Sequence, residues 1–370
     1  MTAPAPLPAA GSAGTVLVAR VDNAGDVLLA GPAIRAVAAR AREVVLLAGP
    51  HGRAAGELLP GVSRVIEWRT PWIDPEPPPV TGEHTARLIG AVRDVAPDEA
   101  LILTSFHQSP LPLALLLRLA GVPRISAISN DYPGSLLDLR RVVDEDVDVP
   151  EAERMLGLAR EAGFDLPPGD GGGLAVRRPL PEAGHLTGPP GYVVVHPGVS
   201  APARAWPAEN WTDLVRRLSA EGLRVVVTGA PGEKELTERI AGAVTGGVPG
   251  APGVPGAAGA VVDLGGATTM AELAAVLDGA SVAVVANTGP AHLAAAVGTP
   301  VVSLFAPVVP AARWAPYGVA RVVLGDQHAP CRGTRARVCP VPGHPCLSSV
   351  PGERVVEAVR RLALSQEAAV

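Results

Sequence analysis

The residues from Val284 to Phe305, VVANTGPAHLAAAVGTPVVSLF, hold the clearest chemical signal in this chain. An apolar run leads into a polar turn, Asn287-Thr288-Gly289-Pro290, then an alanine-rich helix and a β-branched strand. Thr288 has the short oxygen-bearing side chain that caps helix starts, and Gly289 lets backbone approach a ligand closely. Pro290 suits the first helical position because its missing N–H has no intrahelical partner to lose there. Free N–H groups and the positive end of the helix dipole make such a start an anion site. His292, in the first turn, adds a further donor. The turn therefore reads as a phosphate site, against the alternative of an ordinary, well-capped strand–helix connection.

Composition bounds what can carry this turn. At 370 residues the chain exceeds one ordinary core, so two domains are expected. Hydrophobic residues make up 48% but aromatics only 3%, so Ala, Val and Leu must fill the cores. A net charge of −5 gives no nucleic-acid footprint. No apolar run reaches the roughly 18 residues that span a bilayer. Leu111–Val122, the longest candidate, contains Pro112 and Arg118 and reads as a buried helix. The opening MTAPAPLPAAGSAGT lacks the features of a signal peptide and reads as a floppy tail, 1–14.

Strand and helix patterns alternate. Strands are expected at Val16–Val21, Val44–Ala48, Val65–Trp68, Ala100–Thr104 and Arg124–Ile128, with helices at Gly31–Ala41, Arg53–Leu59, Thr85–Val95, Leu113–Ala120 and Pro150–Gly163. The Pro- and Gly-rich Leu166–Pro190 reads as an interdomain linker. A second series follows, with strands at Tyr192–His196, Arg224–Thr228, Val261–Asp263, Ser281–Ala286 and Pro300–Phe305. Its helices are expected at Trp211–Glu221, Glu233–Val244, Met270–Leu277, Ala291–Val297 and, last, Val350–Leu364. Low-complexity Gly246–Ala260 reads as an exposed loop. Alternation of this kind predicts an α/β fold of two doubly wound halves, 15–180 and 191–370. Ligands of such sheets bind outside the carboxyl ends of the strands.

Four segments in order carry a family resemblance: VLVARVDNAGDVLLAGPAIRAV (16–37), HPGVSAPARAWPAENWTDLVRRL (196–218), VVVTGAPGEKELTERIA (225–241) and the stretch from Asp263 to Gly318. Together they resemble glycosyltransferase family 9, the family of the lipopolysaccharide heptosyltransferases. The resemblance implies a GT-B fold, two Rossmann-like domains facing across a cleft, with the final helix crossing back to the first. It also implies an inverting, metal-independent mechanism and a nucleoside-diphosphate sugar donor. The family commonly has Asp-Thr-Gly where this chain has Asn287-Thr288-Gly289, which keeps a hydrogen-bonding side chain and loses a charge.

Residue by residue, inverting transfer needs a base for the acceptor hydroxyl. The resemblance gives that role to Asp26, with Asp22 as competitor, while Asp26 taken alone reads rather as a cap of the following helix. Arg204, two residues before Trp206-Pro207, stands where the family carries a cation facing the diphosphate, and a guanidinium can bind phosphate oxygens bidentately. Its alternative is an exposed loop charge. By resemblance Glu233 bonds the nucleotide ribose, with Glu235 as near alternative, and by position Glu233 is a first-turn acid favourable to the helix dipole. Thr288, Gly289 and His292 complete the donor set.

Two constellations are discounted. Asp146-Val147-Asp148 has the Asp-x-Asp pattern of metal-dependent transferases but sits in an acidic run away from any expected strand end. Cys331, Cys339 and Cys346, with His328 and His344 nearby, lack the short Cys-x-x-Cys spacing of a zinc knuckle. No metal ligand and no cofactor beyond the donor substrate is therefore expected.

The function expected is an inverting, metal-independent glycosyltransferase. It moves a sugar, a heptose in the family's best-known case, from a nucleoside diphosphate, by resemblance ADP, to a hydroxyl of a glycan, glycolipid or small molecule. The expected setting is a cytoplasmic monomer with at most peripheral contact at the inner face of the membrane and no nucleic-acid partner. The alternatives are a nucleotide-sugar epimerase of the same fold, for which no clear set of extra acids or histidines exists, and a non-catalytic nucleotide-sugar-binding protein. A dinucleotide-binding dehydrogenase is disfavoured because Arg20–Ala30 contains no G-x-G-x-x-G.

Overall fold

The computed structural model describes residues 13–244 and 257–367. Most of the expected tail (1–12) and of the low-complexity loop (246–256) lies outside the described residues. The chain divides into two compact units, Met1–Ala175 and Val176–Val370.

The first unit is built on β1 (Ala13–Ala19), β2 (Ala41–Ala48), β3 (Arg64–Glu67), β4 (Glu99–Ile102), β5 (Ile125–Ile128) and β6 (Leu139–Arg141). Its helices are α1 (Ala24–Leu29), α2 (Gly31–Ala38), α3 (Arg53–Leu58), α4 (Gly82–Val95), α5 (Leu111–Ala120) and α6 (Glu151–Glu161). All strand pairs are parallel, in the order β3-β2-β1-β4-β5-β6. Alternate residues serve opposite faces of the pleat. Leu17, Val45, Leu47 and Ile102 pack with Leu88 and Val92 of α4 and with Leu113 and Leu117 of α5. Helices α2 and α6 pack together on the sheet, where Ile34, Val37 and Met155 are fully buried.

One expectation is corrected here. A separate short helix, α1, precedes the expected one over Gly31–Ala41, with Gly25-Asp26 in its first turn, and α2 begins anew at Gly31 and ends at Ala38. Pro32 has no N–H to continue the ladder, so the helix breaks at Ala30 and restarts.

The second unit repeats the plan with β7 (Tyr192–His196), β8 (Val225–Gly229), β9 (Val261–Gly265), β10 (Ala280–Ala286), β11 (Val301–Leu304) and β12 (Arg321–Leu324). Its helices are α7 (Gly184–Thr187), α8 (Ala208–Ala220), α9 (Lys234–Gly242), α10 (Met270–Asp278), α11 (Gly289–Val297), α12 (Ala311–Trp314), α13 (Pro345–Ser348) and α14 (Gly352–Glu367). The order β12-β11-β10-β7-β8-β9 is the same 3-2-1-4-5-6 arrangement, again all parallel. Near-continuous valine runs suit strands covered on both faces. The final helix, α14, packs on α8, β10, β11 and β12 of its own unit.

The expected linker is mostly built into the two units. Asp170 receives two hydrogen bonds from Arg35, at 2.6 and 2.8 Å. The Arg224 guanidinium donates to Pro189 O and Pro190 O, both at 2.7 Å. Backbone carbonyls satisfied by guanidinium groups replace the missing regular structure. Among the described residues no helix is long and apolar enough to cross a membrane.

Candidate active site

In a 3-2-1-4-5-6 sheet the connections leave strands 1 and 4 in opposite directions, which opens a crevice at their carboxyl ends. In the first unit that crevice lies beyond β1 and β4 and holds a charge cluster centred on Arg20. This side chain is fully buried. Its Nη1 donates to Leu103 O (3.0 Å), and its Nη2 donates to Ser105 Oγ (2.8 Å) and to Asp26 Oδ1 (3.0 Å). Its Nε lies 3.2 Å from Asp22 Oδ2. Gln108 Nε2 donates to Asp22 Oδ1 at 2.5 Å, and Gln108 Oε1 accepts from Ser105 N.

This arrangement separates the two acids. Burial raises the Asp22 carboxyl above its ordinary range, Arg20 pulls it back, and Asp26 raises it again. The Asp22 side chain is 9% exposed and the Asp26 side chain 21%. Asp26 spends one oxygen on Arg20, and the other makes no hydrogen bond among the described residues. The capping alternative fails, because Asn23 holds the N-cap position and the Asp26 carboxylate bonds Arg20 rather than backbone N–H. Arg20, Ser105 and Gln108 were not among the sequence candidates. An arginine at the end of the apolar run VLVA was the available signal, because a buried charge needs partners.

The second unit has its crevice beyond β7 and β10. His196 pairs in register with Val285, so Pro197-Gly198 and Asn287-Thr288 leave the sheet side by side. Thr288 stands at the N-cap of α11 with extended backbone, but its side chain makes no capping bond, and Pro290 falls one place later than expected. Asn287 is 4% exposed and its Nδ2 has no hydrogen-bond partner among the described residues. His292 is buried at 5% exposure rather than presented at the surface. Arg204 ends a single 3₁₀ turn, Pro202–Arg204, and is half-buried.

Glu233 closes a second such turn, Pro231–Glu233, beyond β8. Its Oε2 accepts from Ala230 N at 2.7 Å. A Cβ on Gly198 would collide with that carboxylate, so the glycine is what lets Glu233 rest over the exit of β7. Glu235 is exposed on α9. Glu233 borders a cavity of ≈ 660 Å³, whose walls come from Pro197–Val199, the Trp206-Pro207 segment and the 338–344 loop. Trp206 is itself structural. Its indole meets Trp211 edge-on at 5.0 Å and donates to Val350 O.

His196 lies beneath Glu233. Its Nδ1 pairs with Thr228 Oγ1 at 2.9 Å, and its Nε2 is 3.8 Å from Glu233 Oε2. Burial pushes its imidazole down to about 4, so the ring is neutral at pH 7 and the contact with Glu233 is not an ion pair. The unfolded chain takes up this proton from its ordinary value of 6.5 downward, and the folded chain only near 4. Stability present above that ordinary value is therefore lost as the pH falls towards 4, by up to about 3 kcal/mol. Urea unfolding of the natural chain and of His196→Asn across this range checks it. The variant should lose the slope, and an unchanged slope would assign it to other groups.

The discounted constellations differ in place: the acidic one is a surface run, whereas Cys339 and His344 of the other border the cavity beside Glu233. Asp146 and Asp148 are exposed between β6 and α6. Cys331 and Cys346 are buried in the apolar core with Cys339 packed against it, and all three are free thiols. Burial and the adjacent Cys331 push the Cys346 thiol up to about 12. Among the described residues no three His, Cys, Asp or Glu side chains are arranged to hold a metal ion.

Known proteins resemble this one throughout. Lipopolysaccharide heptosyltransferase 3 of Escherichia coli is 28% identical over 227 residues, which are 60% of this chain and 60% of that relative's own length. The solved structure of E. coli ADP-heptose lps heptosyltransferase II superposes with a TM-score of 0.70 at 21% identity, covering 95% of this chain and 99% of the other. E. coli heptosyltransferase WaaC with ADP-2-deoxy-2-fluoro heptose gives 0.63 at 20% identity, over 94% and 99%. These likenesses establish the GT-B fold. The profile of Glycosyltransferase family 9 (heptosyltransferase) matches residues 86–344, a span that leaves Asp26 outside and takes in the whole β7–β10 crevice. Because that match runs through more than half of the chain, the protein belongs to glycosyltransferase family 9.

Proposed function

We propose that the protein is an inverting, metal-independent glycosyltransferase that moves a sugar from a nucleoside-diphosphate donor to a hydroxyl of a glycan, glycolipid or small-molecule acceptor. A heptose carried on ADP is the donor proposed, since a relative of the same fold is known with ADP-2-deoxy-2-fluoro heptose. The reaction is placed in the cytoplasm, at most touching the inner face of the membrane, and carried out by a monomer.

One observation carries the reading. Every residue singled out by the family resemblance follows the carboxyl end of a parallel strand: Asp26 after β1, Arg204 after β7, Glu233 after β8, and Thr288, Gly289 and His292 after β10. In the proposed step the free oxygen of Asp26 takes the acceptor hydroxyl proton as that oxygen attacks the anomeric carbon. The bond from anomeric carbon to phosphate oxygen breaks, and the nucleoside diphosphate leaves with its electron pair. Arg204 and the backbone N–H groups at the start of α11 meet the charge that develops on the leaving group. Asn287 presents an amide donor there, where an aspartate would repel the phosphates.

Calorimetry with ADP, GDP and UDP in the presence of a chelator tests this. At least one should bind, and Arg204→Ala should weaken it by about 1.5–3 kcal/mol with little change in unfolding midpoint. Binding only after magnesium or manganese is restored would overturn the metal-independent reading. An unchanged Kd in Arg204→Ala would mean that another group faces the diphosphate.

A further inference from the structure

Two arginines of the first unit meet carboxylates in different ways. Arg35 gives its Nε and Nη2 to both oxygens of Asp170, at 2.6 and 2.8 Å. This is the two-pronged contact in which a guanidinium binds a carboxylate best. Arg20 divides the same edge between two acids. Its Nε faces Asp22 Oδ2 at 3.2 Å, and its Nη2 donates to Asp26 Oδ1 at 3.0 Å. The division has a cost. Arg20 Nε and Asp22 Oδ2 are both buried and close, yet neither has a hydrogen-bond partner among the described residues. Buried polar groups left so call for an explanation. Asp22, the more deeply buried of the two acids, has the most to gain from taking both nitrogens.

Gln108 prevents it. Its Nε2 donates to Asp22 Oδ1 at 2.5 Å, and that oxygen is the one a two-pronged contact with Arg20 would need. The amide is fixed at its other end, where Oε1 accepts from Ser105 N at 3.0 Å. A backbone N–H can only donate, so Oε1 must face it and the NH2 must face Asp22. The loop after β4 also ties the guanidinium itself, through Leu103 O and Ser105 Oγ. With Asp22 Oδ1 drawn off to Gln108, Arg20 Nη2 keeps a hydrogen for Asp26. That bond pins one oxygen of Asp26 and thereby orients the other.

We propose that Gln108 is a positioning residue for transfer: by holding Asp22 it reserves Arg20 Nη2 for Asp26 and so aims the free oxygen of Asp26. This role rests on the reading of Asp26 as the general base. Gln108 touches neither Arg20 nor Asp26 by hydrogen bond and acts on both through Asp22.

Crystal structures of the natural chain and of Gln108→Met test the geometry without a substrate. Methionine has the length of glutamine but no donor for Asp22. In the variant Asp22 should take both Nε and Nη2 of Arg20, as Asp170 takes those of Arg35, and Asp26 Oδ1 should leave Nη2. Release of ADP from ADP-heptose, with water as the acceptor, tests the consequence. Turnover should fall about ten- to a hundredfold, the scale of a misplaced catalytic group. The KM for the donor and the unfolding midpoint should change little, because Arg20 keeps a carboxylate. Gln108→Glu preserves shape and the acceptor for Ser105 N but loses the donor, and it should show the same loss. Adding Asp22→Asn to Gln108→Met should restore most of the turnover, since a carboxamide has one acceptor oxygen and cannot take both nitrogens. A merely structural Gln108 would give no such rescue. An Arg20 edge still divided in Gln108→Met, ADP release undiminished in the two single variants, or absence of rescue each overturns the inference and leaves the donor reading standing. If the natural chain releases no ADP from ADP-heptose, the donor reading falls and the positioning role falls with it.

Discussion

Asp26→Asn should lower turnover by about two to four orders of magnitude, the range expected for a lost general base. Arg20 Nη2 holds Asp26 Oδ1 at 3.0 Å, and the second oxygen makes no hydrogen bond among the described residues. Asparagine keeps an oxygen for Arg20 and places an NH2 where the free oxygen was, so a proton acceptor becomes a donor while shape is conserved. Helix α1 should be unaffected, because this carboxylate does not cap it. Nucleotide binding should persist, because the proposed donor residues all lie in the second unit. Release of nucleoside diphosphate in the presence of an acceptor, alongside calorimetry with ADP, measures both. Near-full turnover in the variant would move the base to Asp22 or to the substrate. A variant that binds ADP but unfolds early in the first unit would make Asp26 structural.

Arg20→Met should destabilise the first unit by about 3–5 kcal/mol, the usual result of stripping one partner from a buried ionic cluster. The lost guanidinium faces Asp22 and Asp26 directly, and Glu151 also acts on it. Leu103 O and Ser105 Oγ lose their donors as well. The pH dependence identifies the cause. Burial already raises the Asp22 carboxyl and Arg20 opposes that rise, so the variant should hold the Asp22 proton to higher pH than the natural chain. A raised acid is stabilising when protonated, so its contribution is full at low pH and lost as the pH rises through the folded value. The deficit of the variant should therefore shrink on acidification. Urea unfolding followed over a pH series, with the transitions of the two units resolved, would show it. A loss under about 1 kcal/mol, or a deficit independent of pH, would remove the cluster from the account of stability.

Chemistry that is local in the chain is legible in the residues themselves. The Thr288–Pro290 turn follows from residue types within four positions, and α11 starts there. Long apolar strands such as β7 and β10 are readable because both of their faces are buried. The edge strands β6 and β12 are not. Both lie at a sheet edge and carry arginine; β6 has a single apolar residue, and β12 only the three from Val322 to Leu324.

For this protein the sequence by itself determined the class of fold, the doubling of the α/β unit, the helix-starting turn at Thr288 and the presence of an acid after the first strand. All of these follow from backbone preferences and hydrophobic periodicity, which act over a few residues. Only the tertiary structure decided which acid keeps a free oxygen. Asp26 is distinguished from Asp22 by Arg20, Ser105 and Gln108, and the last two come from a loop more than eighty positions away. The cavity was likewise decided late, because His344 meets the Pro197–Pro207 wall only once β7 and the loop after β12 have been packed into one core. Burial, and the pairing it forces on charged and polar groups, is set by neighbours distant in sequence, and a local pattern carries no record of them.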